Sequence, residues 1–326
     1  MSETPQVHSV LVTGATGFVG RGIVRQLLAC GKRPVCLVRS PEKLLAQDPE
    51  VDPDRLTAIA GALNDRAALR QAADLSQAAI HLAGIIIERR LAGQTFHRIH
   101  RLGTVRVIEA VQRAGIKRYV HMSALGARPN AAAVYHQTKW AGEEFVRRSG
   151  LDWTIFRPSL IHGPHGEFMR LMKRFMCSVV PPIIPYFGSG QAKLQPVSVK
   201  DVAHCFVDAL DRPETIEKTI PLGGPTVYSW LEFYNACRAN MPGARHWKPL
   251  VRYPVSVAKL IATVSAPPMA VAELAAPSLG LFRFDRGQVQ MSQEDAVCDQ
   301  TLAETAFGIR MRAFEDELAI YADQIG

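Results

Sequence analysis

An apolar run near the start of the chain stops at a cluster of glycines. Residues 10–12 read Val-Leu-Val, Gly14, Gly17 and Gly20 follow at intervals of three, and apolar residues recur at helical spacing over 23–28. A β-branched run this short predicts a strand, and the later spacing predicts an amphipathic helix. The chain therefore opens with a strand, a tight turn and a helix.

Strand-like and helix-like patterns alternate along the first half of the chain. The strand-like runs are residues 34–38, 56–60, 79–84, 118–122 and 153–157, and helical patterns cover 96–110 and 135–146. Strands that alternate with helices form parallel sheets covered on both faces. We therefore expect an α/β fold in which a doubly wound parallel sheet, a Rossmann domain, occupies residues 1–160.

Residues 161–326 are predicted to form a small, mostly helical C-terminal substrate lobe. Residues 168–176 show helical periodicity, whereas 179–185 contain three prolines and are expected to lack regular structure. A strand and helix near 195–210 are expected to return to the Rossmann domain, so the two parts interleave. Another short strand is expected over 219–222, and Ser229 is a candidate cap for the helix after it.

The most apolar stretch is 254–282. It places Val257, Leu260, Ile261 and Val264 on one helical face, but charged residues and prolines interrupt the ~20 apolar residues that a membrane span needs. Lobe helices are the favoured interpretation. A surface that touches a bilayer or a lipophilic ligand is the alternative.

Composition indicates a globular protein in a reducing compartment. Of the 326 residues 48% are hydrophobic and 21% charged, the six cysteines form no C-x-x-C pair, and polar residues follow Met1. We expect a cytoplasmic location, with peripheral association at the inner face of the membrane, or with a membrane complex, left open. The net charge of +8 favours anionic partners. Scattered basic residues and 7% aromatics argue against nucleic acid.

The glycine turn is a candidate dinucleotide site. Small residues let backbone N–H groups approach a pyrophosphate, and the following helix adds its positive dipole end. Simple turn chemistry is the alternative. The residues assigned to this contact are Thr13, Gly14, Thr16, Gly17, Phe18, Val19 and Gly20.

The end of the second predicted strand indicates which dinucleotide is bound. Arg39 and Ser40 stand where an NAD site carries an acidic residue, and a cation there accommodates the 2′-phosphate of NADP. We therefore predict that NADPH is preferred over NADH. A solvated arginine at a strand end is the alternative interpretation.

Ser123, Tyr135 and Lys139 form a candidate catalytic group. Ser123 follows the fifth strand, and Tyr135 and Lys139 are four residues apart on one helical face. The ammonium is expected to lower the pKa of the phenol, which would then transfer a proton while Ser123 orients a substrate oxygen. An amphipathic helix with one core tyrosine is the alternative.

These motifs in this order resemble the extended and atypical short-chain dehydrogenase/reductases. The stretches 94–96, 121–127 and 150–155, with Trp140 and Glu143-Glu144, are similar to the subfamily of the nucleotide-binding accessory subunit of respiratory complex I and its bacterial relatives. The resemblance covers about the first two-thirds of the chain. It implies that Lys139 also binds the nicotinamide ribose.

Further cofactor contacts are expected along the same edge of the sheet. The family commonly has an acidic residue after the glycine at 61, but this chain has Ala62, so adenine contact is left to backbone groups or to Asn64 and Asp65. The additional assigned residues are Ala62, Leu63, Leu82, Ala83, Gly84 and Pro158, with Tyr135 and Lys139.

The predicted function is hydride transfer between NADP(H) and a carbonyl or alcohol. Mitochondrial members of the resembled subfamily are regarded as structural, so a non-catalytic NADPH-holding accessory protein of a membrane assembly is one alternative. A nucleotide-sugar epimerase or dehydratase is another.

The substrate is predicted to be lipophilic, because the expected site offers many apolar side chains and few polar ones. The residues assigned to it are Ile85, Ile86, Leu125, Leu160, Ile161, Phe168 and Met172. His162, His165 and Glu167 lie close together in the sequence but lack regular ligand spacing, so no metal is expected.

Overall fold

A seven-stranded parallel sheet lies at the centre of the described structure, which comprises residues 7–49, 51–263 and 285–326 of a computed structural model. Its strands are β1 (Ser9–Thr13), β2 (Arg33–Val38), β3 (Thr57–Ala60), β4 (Ala78–His81), β5 (Arg118–Met122), β6 (Asp152–Pro158) and, from further along the chain, β11 (Lys218–Leu222). The spatial order is β3-β2-β1-β4-β5-β6-β11. The predicted doubly wound α/β fold is confirmed.

The first strand shows why its sequence is apolar throughout. Val10 and Val12 point into one core layer and Leu11 into the other, because successive side chains of a strand face opposite sides. All three side chains are fully buried. A strand covered on both faces carries a continuous hydrophobic run rather than an alternating one.

Helices cover both faces of the sheet. One face carries α1 (Phe18–Ala29), α2 (Pro41–Ala46), α7 (Val199–Asp208) and α11 (Thr301–Phe307), and the other carries α3 (Arg66–Asp74), α4 (Thr104–Arg113) and α5 (Val134–Arg147). Helices α1 and α7 lie against each other: a Cβ built on Gly22 would stand 3.4 Å from Val199 Cγ2. The first core layer, which contains Val10 and Val12, thus combines side chains of α1 with side chains of α7 and α11 from much later in the chain.

The helix predicted over 96–110 differs from the observed one. A π-helical turn, His97–Gly103, precedes α4. The Thr104 hydroxyl donates to the carbonyl of His100 at 2.6 Å and so competes with the regular helical donor for that oxygen. Such widened turns occur often at functional sites.

The second part of the chain packs three helices around a core of its own. These are α6 (Glu167–Cys177), α8 (Trp230–Asn240) and α12 (Phe314–Tyr321). Their buried side chains include Met169, Phe175, Phe233, Phe314 and Leu318. Ser229 and Glu232 form a capping box at the start of α8, which confirms the predicted cap.

Short strand pairs border this second core. They are β7 (Ile161–His162) with β10 (Val197–Ser198), β8 (Ile184–Phe187) with β13 (Leu250–Tyr253), and β9 (Lys193–Leu194) with β12 (Tyr228–Ser229). Val197 and α7 pack in the first core layer with the main sheet, although the strand near 197 pairs with β7 and β11 occupies the edge of β6. One expectation needs correction. The irregular segment ends before residue 184, because β13 supplies the backbone partners that make a strand there.

The apolar stretch 254–282 lies partly outside the described residues. Residues 255–263 are helical (α9), with Val257, Leu260 and Ile261 exposed, whereas the predicted continuation at Val264 falls in the segment 264–284, which is not described. Helices α10 (Arg286–Met291), α11 and α12 follow. Within the described ranges no helix has the length and hydropathy to cross a bilayer.

Candidate functional site

The glycine turn lies between β1 and α1, where the strand order of the sheet reverses. Gly14 has φ +82°, and a Cβ on it would stand 3.0 Å from the backbone nitrogen of Ala83 after β4. Gly17 is exposed at the N-cap of α1, where no side chain caps the helix. The first-turn N–H groups are thus left for a ligand, and the cradle fits a pyrophosphate.

Gly20 is required by an even closer contact. A Cβ on it would lie 2.1 Å from the carbonyl oxygen of Gly14 and 2.8 Å from Cα of Ala15. Both atoms are backbone, so no side-chain rotation could relieve the overlap. The third glycine therefore lets the first turn of α1 pack directly against the turn that begins at Gly14.

Arg39 and Ser40 follow β2 at the same edge of the sheet. The guanidinium of Arg39 is exposed, and among the described residues no hydrogen-bonding or ion-pair partner engages it. Ser40 has a structural task, because its hydroxyl accepts from the backbone N–H of Lys43 and donates to Glu42. Of the two predicted contacts, Arg39 is the one whose side chain is available.

The buried group at the carboxyl end of β5 comprises Ser123 and Lys139. The Ser123 hydroxyl is buried without a hydrogen-bond partner in the described structure, although its backbone N–H donates to Phe156. Lys139 Nζ donates to the carbonyl of Met122 at 2.6 Å and would lie 3.5 Å from a Cβ on Gly84. An unpaired buried hydroxyl thus follows directly after the carbonyl that binds a buried ammonium, and such a pair of polar groups suits a polar ligand.

Tyr135 precedes Lys139 by one turn of α5. Its ring meets the rings of Phe96 and His100 edge-on, with centroids 5.9 and 5.4 Å away. Burial raises the pKa of Tyr135 to about 12. The expectation that Lys139 lowers this pKa is therefore wrong for the structure, because burial of the phenol dominates and the ammonium is bound to Met122.

Lys139 carries positive charge in surroundings that penalise it. Burial lowers the pKa of Lys139 to about 8, partly offset by the nearby Glu143 carboxylate. Glu143 is fully buried and accepts from Arg157 at 2.7 and 2.8 Å and from Arg147 at 2.5 Å. Arg147 of α5 and Arg157 of β6 already bind the Glu143 carboxylate, so Glu143 joins α5 to β6 and is not the hydrogen-bond partner of Lys139.

His100 was not identified from the sequence. It is 2% exposed, accepts from the backbone N–H of Ile85 at 3.1 Å and lies 3.0 Å from Thr138 Oγ1. Burial is the main cause that lowers its pKa well below 6.5. A histidine in a predicted amphipathic helix gives no signal of this kind, because the sequence does not show which loop packs against it.

A second buried chain of hydrogen bonds connects the end of β1, the end of β4 and the start of α4. Thr13 Oγ1 lies 2.6 Å from His81 Nδ1, and His81 Nε2 lies 3.2 Å from Thr104 Oγ1. Burial lowers the pKa of His81 to about 3, so this imidazole is neutral. The Thr13 hydroxyl is thereby engaged, and its carbonyl accepts from the backbone N–H of Leu82 at 3.1 Å, so Thr13 shapes the site from within the sheet.

The remaining predicted cofactor residues lie along the sheet edge with different degrees of burial. The side chains of Val19 and Leu82 pack in the first core layer, and Leu63 packs against the second. Thr16, Phe18, Ala62 and Ala83 are partly exposed, Gly84 is exposed, and Pro158 is buried. Side-chain contact is thus available at only some of these positions.

The seven predicted substrate residues do not all lie at the site. Ile85 and Leu125 are partly buried and Ile86 is 54% exposed, and all three follow main-sheet strands β4 and β5. Leu160 and Phe168 pack against the second core, and Ile161 against the first. Met172 needs correction: it is 1% exposed within the second core, because helical periodicity alone does not distinguish a ligand-facing side from a core-facing one.

Two exposed apolar residues near Tyr135 were missed. Val134 begins α5 and is 55% exposed, and Leu91 is 74% exposed at the tip of the loop between Gly84 and Phe96. The base of this loop is held by Glu88, which accepts from the N–H of Phe96 at 2.9 Å. Leu91 and Val134, with Ile86 on the same loop as Leu91, form an exposed apolar rim on the two elements that carry Phe96 and Tyr135.

His162, one of the two histidines considered for a metal, has a structural role. His162 is fully buried, and its Nδ1 lies 3.1 Å from the hydroxyl of Tyr321. Over the part of the chain that the structure describes, no three His, Cys, Asp or Glu residues are grouped to hold a metal ion.

Comparison with known proteins supports the cofactor assignment at the level of the family. A family model described as NAD(P)H-binding matches residues 14–213. The chain is 34% identical to ceramide reductase of Caulobacter vibrioides over 60% of this chain and 58% of that protein. It is 30% identical to NADH dehydrogenase [ubiquinone] 1 alpha subcomplex subunit 9 of Arabidopsis thaliana over 77% and 61%. The chain thus spans about three-fifths of these curated relatives.

Solved structures share the fold. MoeE5 in complex with UDP-glucose and NAD superposes with a TM-score of 0.70 at 20% identity, covering 97% of this chain and 98% of that one. At this identity the likeness concerns architecture. Together with the relatives it confirms the resemblance to extended and atypical short-chain dehydrogenase/reductases.

Proposed function

The chain belongs to the NAD(P)H-binding family, and from that premise we propose that it is an NADPH-dependent reductase of a lipophilic carbonyl compound. The observation that carries the proposal is the buried Ser123 hydroxyl without a partner, one residue after the Met122 carbonyl that binds the Lys139 ammonium. Unpaired buried polar groups are costly, and active sites are where proteins retain them.

The state of Tyr135 favours reduction over oxidation. With its pKa raised to about 12, the phenol is protonated at neutral pH and holds a proton at Oη. A protonated hydroxyl can donate to a carbonyl oxygen that gains charge, whereas alcohol oxidation needs the phenolate. Ser123 Oγ would donate a second hydrogen bond to the same oxygen.

Lys139 and the turn between β1 and α1 would hold the cofactor. The turn would bind the pyrophosphate through backbone N–H groups, and Lys139 Nζ would bind the ribose next to Gly84. A bound nicotinamide would supply the hydride. The neutral His81 and His100 add no competing positive charge around Lys139.

NADPH is expected to bind at least ~10-fold more tightly than NADH, about 1.4 kcal/mol, through one charge-assisted contact to the 2′-phosphate. Arg39→Ala should remove this difference by weakening NADPH alone, measured by calorimetric titration of both nucleotides. Arg33→Ala, at the opposite end of β2, is the matched control and should leave both affinities unchanged. Equal wild-type affinities would remove Arg39 from the site.

The exposed apolar rim supports a lipophilic substrate. Ile86 and Leu91, on the loop between Gly84 and Phe96, and Val134, at the start of α5, are all more than half exposed. Burying apolar surface contributes about 25 cal/mol per Å², so an acyl or isoprenoid chain would gain where a sugar would leave hydroxyls unpaired. The ceramide reductase relative has a name consistent with such a substrate class.

A turnover screen tests the substrate class. NADPH oxidation should be detected with fatty aldehydes, fatty ketones or quinones and not with UDP-sugars, and the double variant Ile86→Ser/Leu91→Ser should raise KM about 10-fold through lost apolar contact. Leu75→Ser, exposed at the end of α3 away from the rim, is the control. Saturable binding of a UDP-sugar without a lipophilic substrate would favour the epimerase alternative.

A non-catalytic accessory protein is the second candidate. The exposed Val257 and Leu260 on α9 favour it, because exposed apolar side chains are common at contact surfaces, and relatives bear the name of a NADH dehydrogenase subunit. Salt-dependent sedimentation with anionic liposomes, or co-purification with membrane subunits, combined with no turnover of added NADPH, would support this candidate over the reductase.

A further inference from the structure

His100 links the loop after β4 to the helix that carries Tyr135 and Lys139. On one side its Nε2 accepts from the N–H of Ile85 at 3.1 Å, and on the other its Nδ1 lies 3.0 Å from Thr138 Oγ1. Thr138 is on α5 between the two proposed catalytic positions. One imidazole therefore spans the gap between two elements that carry the site.

The hydrogen bonds determine which ring nitrogen carries the proton. A backbone N–H can only donate, so Nε2 must be unprotonated where it meets Ile85. The Thr138 hydroxyl donates to backbone carbonyls of α5, at 2.9 Å to Tyr135 and 3.0 Å to Val134, and is therefore left to accept from Nδ1. Both partners require the Nδ1-protonated, neutral tautomer.

The same ring also positions aromatic and charged neighbours. It stacks on Phe96 with centroids 5.3 Å apart and meets the ring of Tyr135 edge-on at 5.4 Å. His100 Nε2 and Lys139 Nζ would both lie 3.5 Å from a Cβ on Gly84, so they stand on the same side of the proposed cofactor path.

We propose that His100 is a positioning residue whose Nδ1-protonated ring fixes the Ile85 peptide and the Tyr135 ring relative to each other. This rests on the proposed reductase function for its kinetic consequence, but the tautomer and the contact with Tyr135 do not depend on turnover. The π-helical turn His97–Gly103 is what brings the ring to this place. Burial lowers the pKa of His100 well below 6.5, which keeps the ring neutral beside Lys139.

Nuclear magnetic resonance of the full chain labelled with ¹⁵N-histidine tests the tautomer. We expect the His100 signals, assigned by their loss in His100→Gln, to show a protonated Nδ1 and a bare Nε2 at neutral pH, with and without NADPH. An imidazolium, or a proton on Nε2, would overturn the proposal whether or not the protein turns over any substrate.

Substitutions test the link to Tyr135. His100→Phe keeps a ring between Phe96 and Tyr135 but removes both hydrogen bonds, and should lower kcat about 10–100-fold with the most active carbonyl of the screen, while KM and the NADPH affinity change less than about 3-fold. His100→Gln, whose amide oxygen can reach the position of Nε2, should restore part of kcat. His97→Phe, an exposed residue of the same turn, is the control.

One further measurement separates this proposal from the reductase function. In protein labelled with ¹³Cζ-tyrosine, the Tyr135 resonance should shift in His100→Phe and not in His97→Phe, in the presence of NADPH. An unchanged Tyr135 resonance would overturn the link even in an active enzyme. If His100→Phe does not fold, Thr138→Val removes the Nδ1 acceptor, together with the hydroxyl's own bonds to the carbonyls of α5, and should give the same shift in smaller measure.

Discussion

Tyr135→Phe is expected to lower turnover by about 10²–10⁴-fold while NADPH binds nearly as before, because only the proton-donating hydroxyl is removed. The phenyl ring keeps its edge contacts with Phe96 and His100, so the site should retain its shape. Steady-state kinetics with the best carbonyl substrate and calorimetry with NADPH measure the two effects. Unchanged turnover would remove Tyr135 from the reaction and favour the accessory-protein function.

The pH dependence should separate Tyr135 from Lys139. Because the pKa of Lys139 is lowered to about 8, its ammonium is present below that pH and is lost as the pH rises through it. NADPH affinity and kcat/KM should therefore fall above about pH 8, whereas Tyr135, with a pKa near 12, stays protonated throughout this range. A profile that stays flat to about pH 10 would show that the Lys139 charge is not used.

Gly20→Ala should abolish NADPH binding and destabilise the fold by about 3 kcal/mol or more, at the upper end of overpacking costs, because the added Cβ would overlap backbone atoms. The added Cβ would lie 2.1 Å from the carbonyl oxygen of Gly14, and relieving this overlap means moving the turn away from the helix. Chemical denaturation and NADPH calorimetry measure the two consequences.

Gly22→Ala is the matched control, two residues further along α1. Its Cβ would stand 3.4 Å from Val199 Cγ2, 3.6 Å from Ala203 Cβ and 3.8 Å from the Val199 carbonyl oxygen on α7, which are ordinary contacts. Since alanine favours helix over glycine by about 1 kcal/mol, this variant should be as stable as the wild type or more so. Equal losses of stability and NADPH affinity in both variants would mean that α1 tolerates no added methyl group at either position. The close contact of Gly20 with the glycine turn would then not be the cause.

The elements of the main sheet could be predicted because each carries its own signal. β1 is an apolar run that ends at a glycine turn, and the predicted range of β5 agrees with the observed Arg118–Met122. β8 could not be predicted, because Pro185 within it and the two prolines shortly before it argue against a strand, and its partner β13 lies far away in the sequence. Local pattern identifies an element when its own residues specify it, and fails when a distant partner does.

The same distinction holds for the candidate site, where features set by sequence spacing could be predicted and features set by the surroundings could not. The spacing of Tyr135 and Lys139 indicated their shared face, and the glycines indicated their turn. The raised pKa of Tyr135 and the place of His100 depend on what surrounds them, namely the burial of the phenol and the packing of the Ile85 loop. Met172 shows the reverse error, since an apolar face assigned to a ligand is covered by Phe233 and its neighbours.

The position of β11 also bears on how the chain is made. β11 pairs with β6 along its whole length, yet about sixty residues of the second part separate the two strands in the sequence. During synthesis, β6 would emerge from the ribosome with an unpaired edge. That edge would stay unpaired until residues 218–222 had been translated. Open strand edges are templates for unwanted pairing. The nascent chain is therefore most exposed to aggregation in the interval when the segment between β6 and β11 is being translated.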